Sequence, residues 1–348
     1  MNAELSDLGL SPFFTRQLTL EEMEHGQLAR VFQVQRSGLV LGNGSTTWAL
    51  SPGQDWYDRP AEQRVTVGDW LVLDESGNRL LRLLDRKSVF KRMAPGTKVE
   101  VQLLAANIDT LFVVTSCNEE FKESRLERYL ALAREADVDP VIVLTKADLT
   151  QDSRDYVDRA LRVSECVPIE RVNALDGDSL ENLKSWTSRG STIALAGSSG
   201  VGKSTLLNSL AGRTLAQTAA IREQDAKGRH TTTYRELHIL PSGGLMLDLP
   251  GIREVRLAEV GDAVRDVFED IEALSLQCRF SNCRHHDEPG CAVRLAISSG
   301  QLDERRLRNY EKLAREDARN SATLAEQRQQ DKAFGKMVKQ HMAIKKRR

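Results

Sequence analysis

The stretch GSSGVGKST, residues 197–205, constrains this chain more than any other. It fits the pattern Gly-x-x-x-x-Gly-Lys-Ser from Gly197 to Ser204, with the apolar run STIALA before it and the helix-favouring run STLLNSLAG after it. A strand, a glycine-rich loop and a helix in that order form a phosphate-binding loop. The glycines let consecutive backbone N–H groups turn toward phosphate oxygens, and the helix N-terminus adds its dipole. Gly197, Ser198, Ser199, Gly200, Val201, Gly202, Lys203, Ser204 and Thr205 are therefore expected to hold a nucleotide. Lys203 supplies charge to the β- and γ-phosphates, and the Ser204 hydroxyl is placed for Mg²⁺.

Four further short elements belong to the same chemistry. DLPG, residues 248–251, closes the apolar run GLMLDLP; Asp248 is placed to hold Mg²⁺ through water and the Gly251 N–H to sense the γ-phosphate. KGRHTTT, residues 227–233, lies between the two loops. Thr232 is the favoured switch residue there, with Thr231 next. VIVLTKADLT, residues 141–150, is an apolar run ending in Thr145-Lys146-Ala147-Asp148. A carboxylate at Asp148 accepts from guanine N1–H and N2–H₂, and adenine has no donors there. Lys146 lays its aliphatic stem on the base. Asn is commoner at the first position; Thr145 keeps a hydroxyl but loses the paired amide, which is expected to weaken base binding. Asn173-Ala174-Leu175 follows the run VPIERV, where a backbone N–H can meet guanine O6.

The base reader precedes the phosphate loop, the reverse of the usual order. Each element still follows a strand-like run, so the set is a rotation of one domain. A compact α/β domain tolerates such a circular permutation because its termini lie close together. Strand-like and helical runs alternate from Val99 to about Glu259, as a sheet covered on both faces requires. In front, short β-rich runs from Leu28 to about Arg92, including QRVTVGDWLVLD, suggest a small barrel with Trp70 in its core.

Charge is nearly balanced, 49 basic against 50 acidic residues, so net charge excludes no partner. Its distribution says more. Seven basic residues and one acid lie between Arg79 and Lys98, and the last fourteen residues hold six basic residues and no acid. Arg86, Lys87, Lys91 and Arg92 are candidate RNA contacts on the barrel. No apolar run approaches a membrane span, and the first 25 residues lack a signal pattern, so a soluble cytoplasmic protein is expected. Three of the five cysteines crowd into CRFSNCRHHDEPGC, residues 278–291. Cys278, Cys283 and Cys291, with His285 or His286, supply three thiolates and an imidazole, a closed tetrahedral set that reads as a structural zinc site.

In the combination TKAD, GSSGVGKST, GRHTTT, DLPG and the cysteine cluster, with VGDW and DRKSVFKR in front, the chain resembles the circularly permuted, small-ribosomal-subunit-dependent GTPases of the RsgA/YjeQ family. The resemblance covers roughly residues 28–310. It implies an N-terminal OB-fold β-barrel at 28–95, a circularly permuted P-loop α/β GTPase domain at 99–260 and a C-terminal α-helical zinc-binding domain at 261–348 with a basic tail. An extension at 1–27 precedes them. It also implies GTP hydrolysis stimulated by the 30S subunit in its late maturation, with 16S rRNA as partner, and it favours His285 as the fourth zinc ligand. A monomer is expected.

Where many GTPases carry a glutamine after D-x-x-G, this chain has Ile252. Isoleucine cannot orient water, so intrinsic hydrolysis is expected to be slow. His230, beside the threonines, is the candidate to complete the site. The competing expectations are an ATP-using P-loop enzyme and a nucleotide-sensing RNA-binding protein without significant turnover.

Overall fold

A computed structural model describes residues 3–35, 37–93, 101–215, 235–249 and 260–322. They fall into two compact units, one drawn from residues 1–91 and 103–255, the other from 92–102 and 256–348.

The first unit opens with three short helices, α1 (Ala3–Asp7), α2 (Pro12–Thr15) and α3 (Leu20–His25). A five-stranded antiparallel sheet follows: β1 (Gln27–Gln35), β2 (Gly38–Gly42), β3 (Thr47–Leu50), β4 (Trp70–Leu73) and β5 (Leu80–Leu83). Its order is β3-β2-β1-β4-β5, so β1 is bonded along both edges. The period of two explains its core. Ala29 and Val31, Leu39 and Leu41, and Leu71 and Leu73 all face one cluster, joined by Leu50, Trp56 and Leu80. Each such large aliphatic side chain contributes about 1.5–3 kcal/mol by leaving water.

The extension is part of this unit. Leu8, Leu10 and Phe14 are buried, and the Phe14 ring lies 5.9 Å from that of Trp70. Arg30, on β1, is fully buried, and among the described residues no carboxylate bonds to its guanidinium. It donates instead to three backbone carbonyls: Leu8 in the extension, Gly68 before β4 (3.4 Å) and Asn107 ahead of the second sheet (2.9 Å). Burial pushes its pKa down to about 10, against the pull of Asp109 and Asp69.

The second sheet carries the motifs. After a two-stranded pair, β6 (Val89–Met93) and β7 (Val101–Ala106), come β8 (Thr110–Ser116), β9 (Asp139–Thr145), β10 (Ile169–Arg171), β11 (Thr192–Gly197), β12 (His238–Ile239) and β13 (Leu245–Asp248). The order is β10-β9-β8-β11-β13-β12, parallel throughout except for the edge strand β12. Every residue of β8 and β11 is buried, which is why these strands read as unbroken apolar runs. The chain winds outward from β8 in two directions, through β9 and β10 on one side and through β11 and β13 on the other. The strand order therefore reverses between β8 and β11, and ligands of open α/β sheets bind beyond the carboxyl ends of strands at such a point. A short helix α4 (Gln54–Tyr57) belongs to the first sheet; α5 (Glu123–Glu135), α6 (Ser153–Leu161) and α7 (Lys203–Ala211) belong to the second. On α5 the stripe Leu126, Leu130 and Ala133 is buried.

The second unit is helical: α8 (Gly261–Val267), α9 (Glu269–Ser275), α10 (Ala292–Ser298) and α11 (Glu304–Ser321). Phe268, Ile271, Val293, Leu307 and Leu313 are buried. Arg306 binds Asp270 through two nitrogens, at 2.7 and 2.9 Å, and also the Val267 carbonyl at 2.7 Å. Among the described residues no helix is long and apolar enough to cross a membrane.

Candidate nucleotide site and metal centre

The carboxyl ends of four parallel strands bring the nucleotide motifs to one edge. β9 leads into Thr145-Lys146-Ala147-Asp148, β10 toward Asn173 and Ala174, and β11 into the phosphate loop, while β13 ends on Asp248. Asp248 pairs in register with Leu195, two residues before Gly197, so the carboxylate sits beside the mouth of the loop. Ser204 and Thr205 lie in the first turn of α7. An Asp carboxylate and a Ser hydroxyl on adjacent elements suit Mg²⁺, a hard cation that prefers oxygen.

The loop needs glycine for two different reasons. A side chain at Gly197 would come within 2.2 Å of the Val114 carbonyl on β8, so the loop leaves the strand only if that position is bare. Gly202 caps α7 with φ +96, a left-handed conformation open to glycine. The Lys203 ammonium folds back onto the Gly197 and Ser198 carbonyls, at 3.0 and 2.7 Å. Ser198 is buried, and its hydroxyl accepts from Arg125 on α5 at 3.0 Å.

Thr145 has a second role. Its side chain is fully buried. Its hydroxyl lies 2.5 Å from the Val201 carbonyl and 3.2 Å from the Thr115 carbonyl. It therefore ties the base-reading loop to the phosphate loop and to β8. Lys146 repeats the tie from φ +56, its ammonium 2.9 Å from the Gly200 carbonyl. Asp148, one turn on, is exposed and free of that scaffolding. Thr145→Val keeps the shape and removes the hydroxyl. It is expected to weaken GDP binding about five- to tenfold, the worth of one buried hydrogen bond, measured by titration with a fluorescent GDP.

Asn173 and Ala174 lie just past β10, which is shorter than the run VPIERV suggests. The Asn173 N–H donates to Ser179 Oγ at 2.8 Å, and its side-chain oxygen accepts from Leu175 N–H at 3.0 Å. The loop is thus held by its own turn, with the Ala174 side chain buried. His230, Thr231, Thr232, Gly251 and Ile252 lie outside the described residues.

The basic residues proposed for RNA each have a partner in the protein, with Lys87 still exposed. Arg86 pairs with the fully buried Asp69 at 2.8 Å and donates to the Glu62 and Arg64 carbonyls. Desolvation raises the Asp69 carboxyl against this pairing, so loss of Arg86 would strand a buried acid. Lys87 pairs with Asp109 at 2.9 Å, Lys91 with Glu135 at 3.3 Å, and Arg92 donates to Gln102 at 2.8 Å. Arg86 is a structural residue.

In the second unit Cys278, Cys283, His285 and Cys291 converge, their ligand atoms all within 4.8 Å of one another. His285 Nδ1 lies 3.7 Å from Cys278 Sγ and 3.5 Å from Cys291 Sγ, and the two sulfurs are 3.9 Å apart. A tetrahedral zinc with ordinary bond lengths separates sulfurs by about 3.8 Å and sulfur from nitrogen by about 3.5 Å. These three separations fit that ion, and the Cys283 sulfur lies within 4.8 Å of each of the other donors. His286 is exposed, and its backbone N–H goes to Glu288. The start of α10 points at the sulfurs. Arg294 N–H donates to Cys291 Sγ at 3.4 Å. Burial pushes the Cys278 thiol up, but the Ala292 and Val293 N–H groups and its cysteine neighbours outweigh it and leave the thiol below its usual value. Sequence reasoning missed Ser275, whose hydroxyl lies 3.1 Å from His285 Nε2. A serine at a helix end carries no linear signal for such a contact.

The comparisons with known proteins agree with this geometry. The RsgA GTPase family model matches residues 83–258. Small ribosomal subunit biogenesis GTPase RsgA 2 of Vibrio parahaemolyticus is 49% identical over 345 residues, 99% of this chain and 94% of its own. The RsgA of Mesorhizobium japonicum is 42% identical, covering 91% of each chain. Among solved structures, YjeQ from Thermotoga maritima superposes with a TM-score of 0.61 at 25% identity, over 84% of this chain and 98% of its own. YloQ, described as a circularly permuted GTPase, shares the fold with a TM-score of 0.58 at 22% identity, over 88% of this chain and all of its own. With its base reader ahead of its phosphate loop on one parallel sheet, this chain belongs to the RsgA family of circularly permuted GTPases.

Proposed function

We propose that this GTPase binds the 30S ribosomal subunit, contacts 16S rRNA and hydrolyses Mg²⁺·GTP late in subunit maturation, acting in the cytoplasm as a monomer. The observation that carries the nucleotide chemistry is the joined edge of the second sheet, where Thr145 and Lys146 clamp the base reader onto the loop that presents Lys203 and Ser204. The ribosomal assignment draws on relatives named for small ribosomal subunit biogenesis.

In this reading Asp148 selects guanine, and the Ala174 N–H meets O6. The N–H groups of residues 198–205 and the Lys203 ammonium cradle the phosphates. Ser204 and Asp248 hold Mg²⁺, which when bound neutralises charge developing on the phosphate oxygens. Thr232 closes over the γ-phosphate, Gly251 senses it, and His230 places the attacking water that Ile252 cannot. Cys278, Cys283, His285 and Cys291 hold one structural zinc, which keeps a short loop-rich segment in shape. RNA contact falls to the first unit, where Lys87 is exposed, and separately to the helical unit, without Arg86.

Two measurements test this reading. Co-sedimentation with 30S subunits is expected to show tighter binding with a non-hydrolysable GTP analogue than with GDP; equal binding would remove the nucleotide-dependent grip. Stripping zinc with a strong chelator is expected to open residues 278–291 to protease while GDP affinity holds. Unchanged protection would argue against a metal there.

A further inference from the structure

We infer that Ser275 is a positioning residue for the metal, fixing His285 as an Nδ1 ligand. The inference rests on the proposed zinc site and adds to it the group that orients the histidine.

Ser275 is the last residue of α9, one turn before Cys278. Its hydroxyl has a single hydrogen, and the geometry assigns it to the Ile271 carbonyl, 2.8 Å away in the helix. Toward His285 Nε2, at 3.1 Å, the same oxygen can only accept. Nε2 must then carry the ring hydrogen, which leaves Nδ1 with an open lone pair. Nδ1 is the nitrogen that faces the sulfurs of Cys278 and Cys291. A chain of contacts therefore runs from a helix carbonyl through Ser275 to the imidazole and on to the thiolates.

The backbone alone does not hold the ring. His285 sits at φ +61, a left-handed conformation uncommon for a residue with a side chain. The bend carries its ring toward α9, away from the exposed path taken by His286. Metal-ligating histidines generally give their second N–H to an acceptor, which fixes tautomer and orientation. Ser275 is that acceptor here, supplied by a helix whose Ile271 is packed in the core of the unit.

The test uses the full chain loaded with one equivalent of Zn²⁺ and titrated with a chromophoric chelator at fixed pH. Ser275→Thr and Ser275→Val have nearly the same shape and differ by the hydroxyl, so any cost of fitting the larger side chain cancels between them. The valine variant is expected to bind zinc at least about tenfold more weakly than the threonine variant, the usual scale for losing an outer partner. With Co²⁺ in place of zinc, the valine variant is expected to show altered d–d bands and the threonine variant bands like those of the wild type. Equal zinc affinity in the two variants, within about twofold, with identical cobalt spectra would overturn the role of Ser275 and leave the metal site standing. A wild-type chain that holds no zinc against the chelator would overturn both.

Discussion

Lys203→Ala is expected to lower GTP turnover about 10²–10³-fold while leaving the fold unchanged, the scale at which one preorganised electrostatic donor acts. The helix that carries Lys203 is anchored by Leu206, Leu207 and Ala211, all buried. The ammonium rests on the Gly197 and Ser198 carbonyls at the mouth of the loop, a place from which it reaches incoming phosphate. Its removal therefore subtracts charge where charge develops in the reaction. Steady-state turnover beside a thermal melt checks both halves. A variant that melts like the wild type and still turns over at the wild-type rate would remove Lys203 from the chemistry.

Asp148→Asn is expected to weaken GTP binding about 10²–10⁴-fold, from the loss of the charged acceptor and of the hydrogen bond from guanine N2–H₂, which the amide NH₂ would face unpaired. The same change should favour xanthosine triphosphate. Xanthine carries an oxygen where guanine carries N2–H₂, and an asparagine amide can donate to that oxygen while accepting from N1–H. Asp148 is exposed and the scaffold around it is held by Thr145 and Lys146, so the exchange leaves the loop in place. Competition between GTP, ATP and XTP for the wild type and the variant measures it. Equal loss for every base would mean that Asp148 supports the loop rather than reads the base.

Much of the nucleotide site was legible because each piece is local. A glycine-rich loop needs its own strand and helix, and a carboxylate at a strand end needs only that strand. Their common edge followed from the rule that parallel strands present their carboxyl ends together. What was not legible depends on partners far along the chain. The tie made by Thr145 was hidden because its acceptor, Val201, lies 56 residues away. Arg86 looked like part of a basic surface because nothing in DRKSVFKR shows that the buried carboxylate of Asp69 claims it. Nothing local in the extension shows what its apolar residues cover, yet Leu8, Leu10 and Phe14 are buried and Arg30 grips the Leu8 carbonyl. The zinc donors were legible as residue types, while the choice between His285 and His286 turns on a left-handed backbone that spacing does not encode.

Ile252 follows D-x-x-G where a water-orienting glutamine is common, so the central claim is that this GTPase completes its catalytic site on the ribosome. GTP hydrolysis by the purified full-length chain, with and without 30S subunits, tests it most directly. The expected result is slow turnover alone and a large rise in kcat with 30S subunits, with no rise when ATP replaces GTP. A GTP turnover that 30S subunits leave unchanged would contradict the account and point instead to a nucleotide-sensing RNA-binding protein.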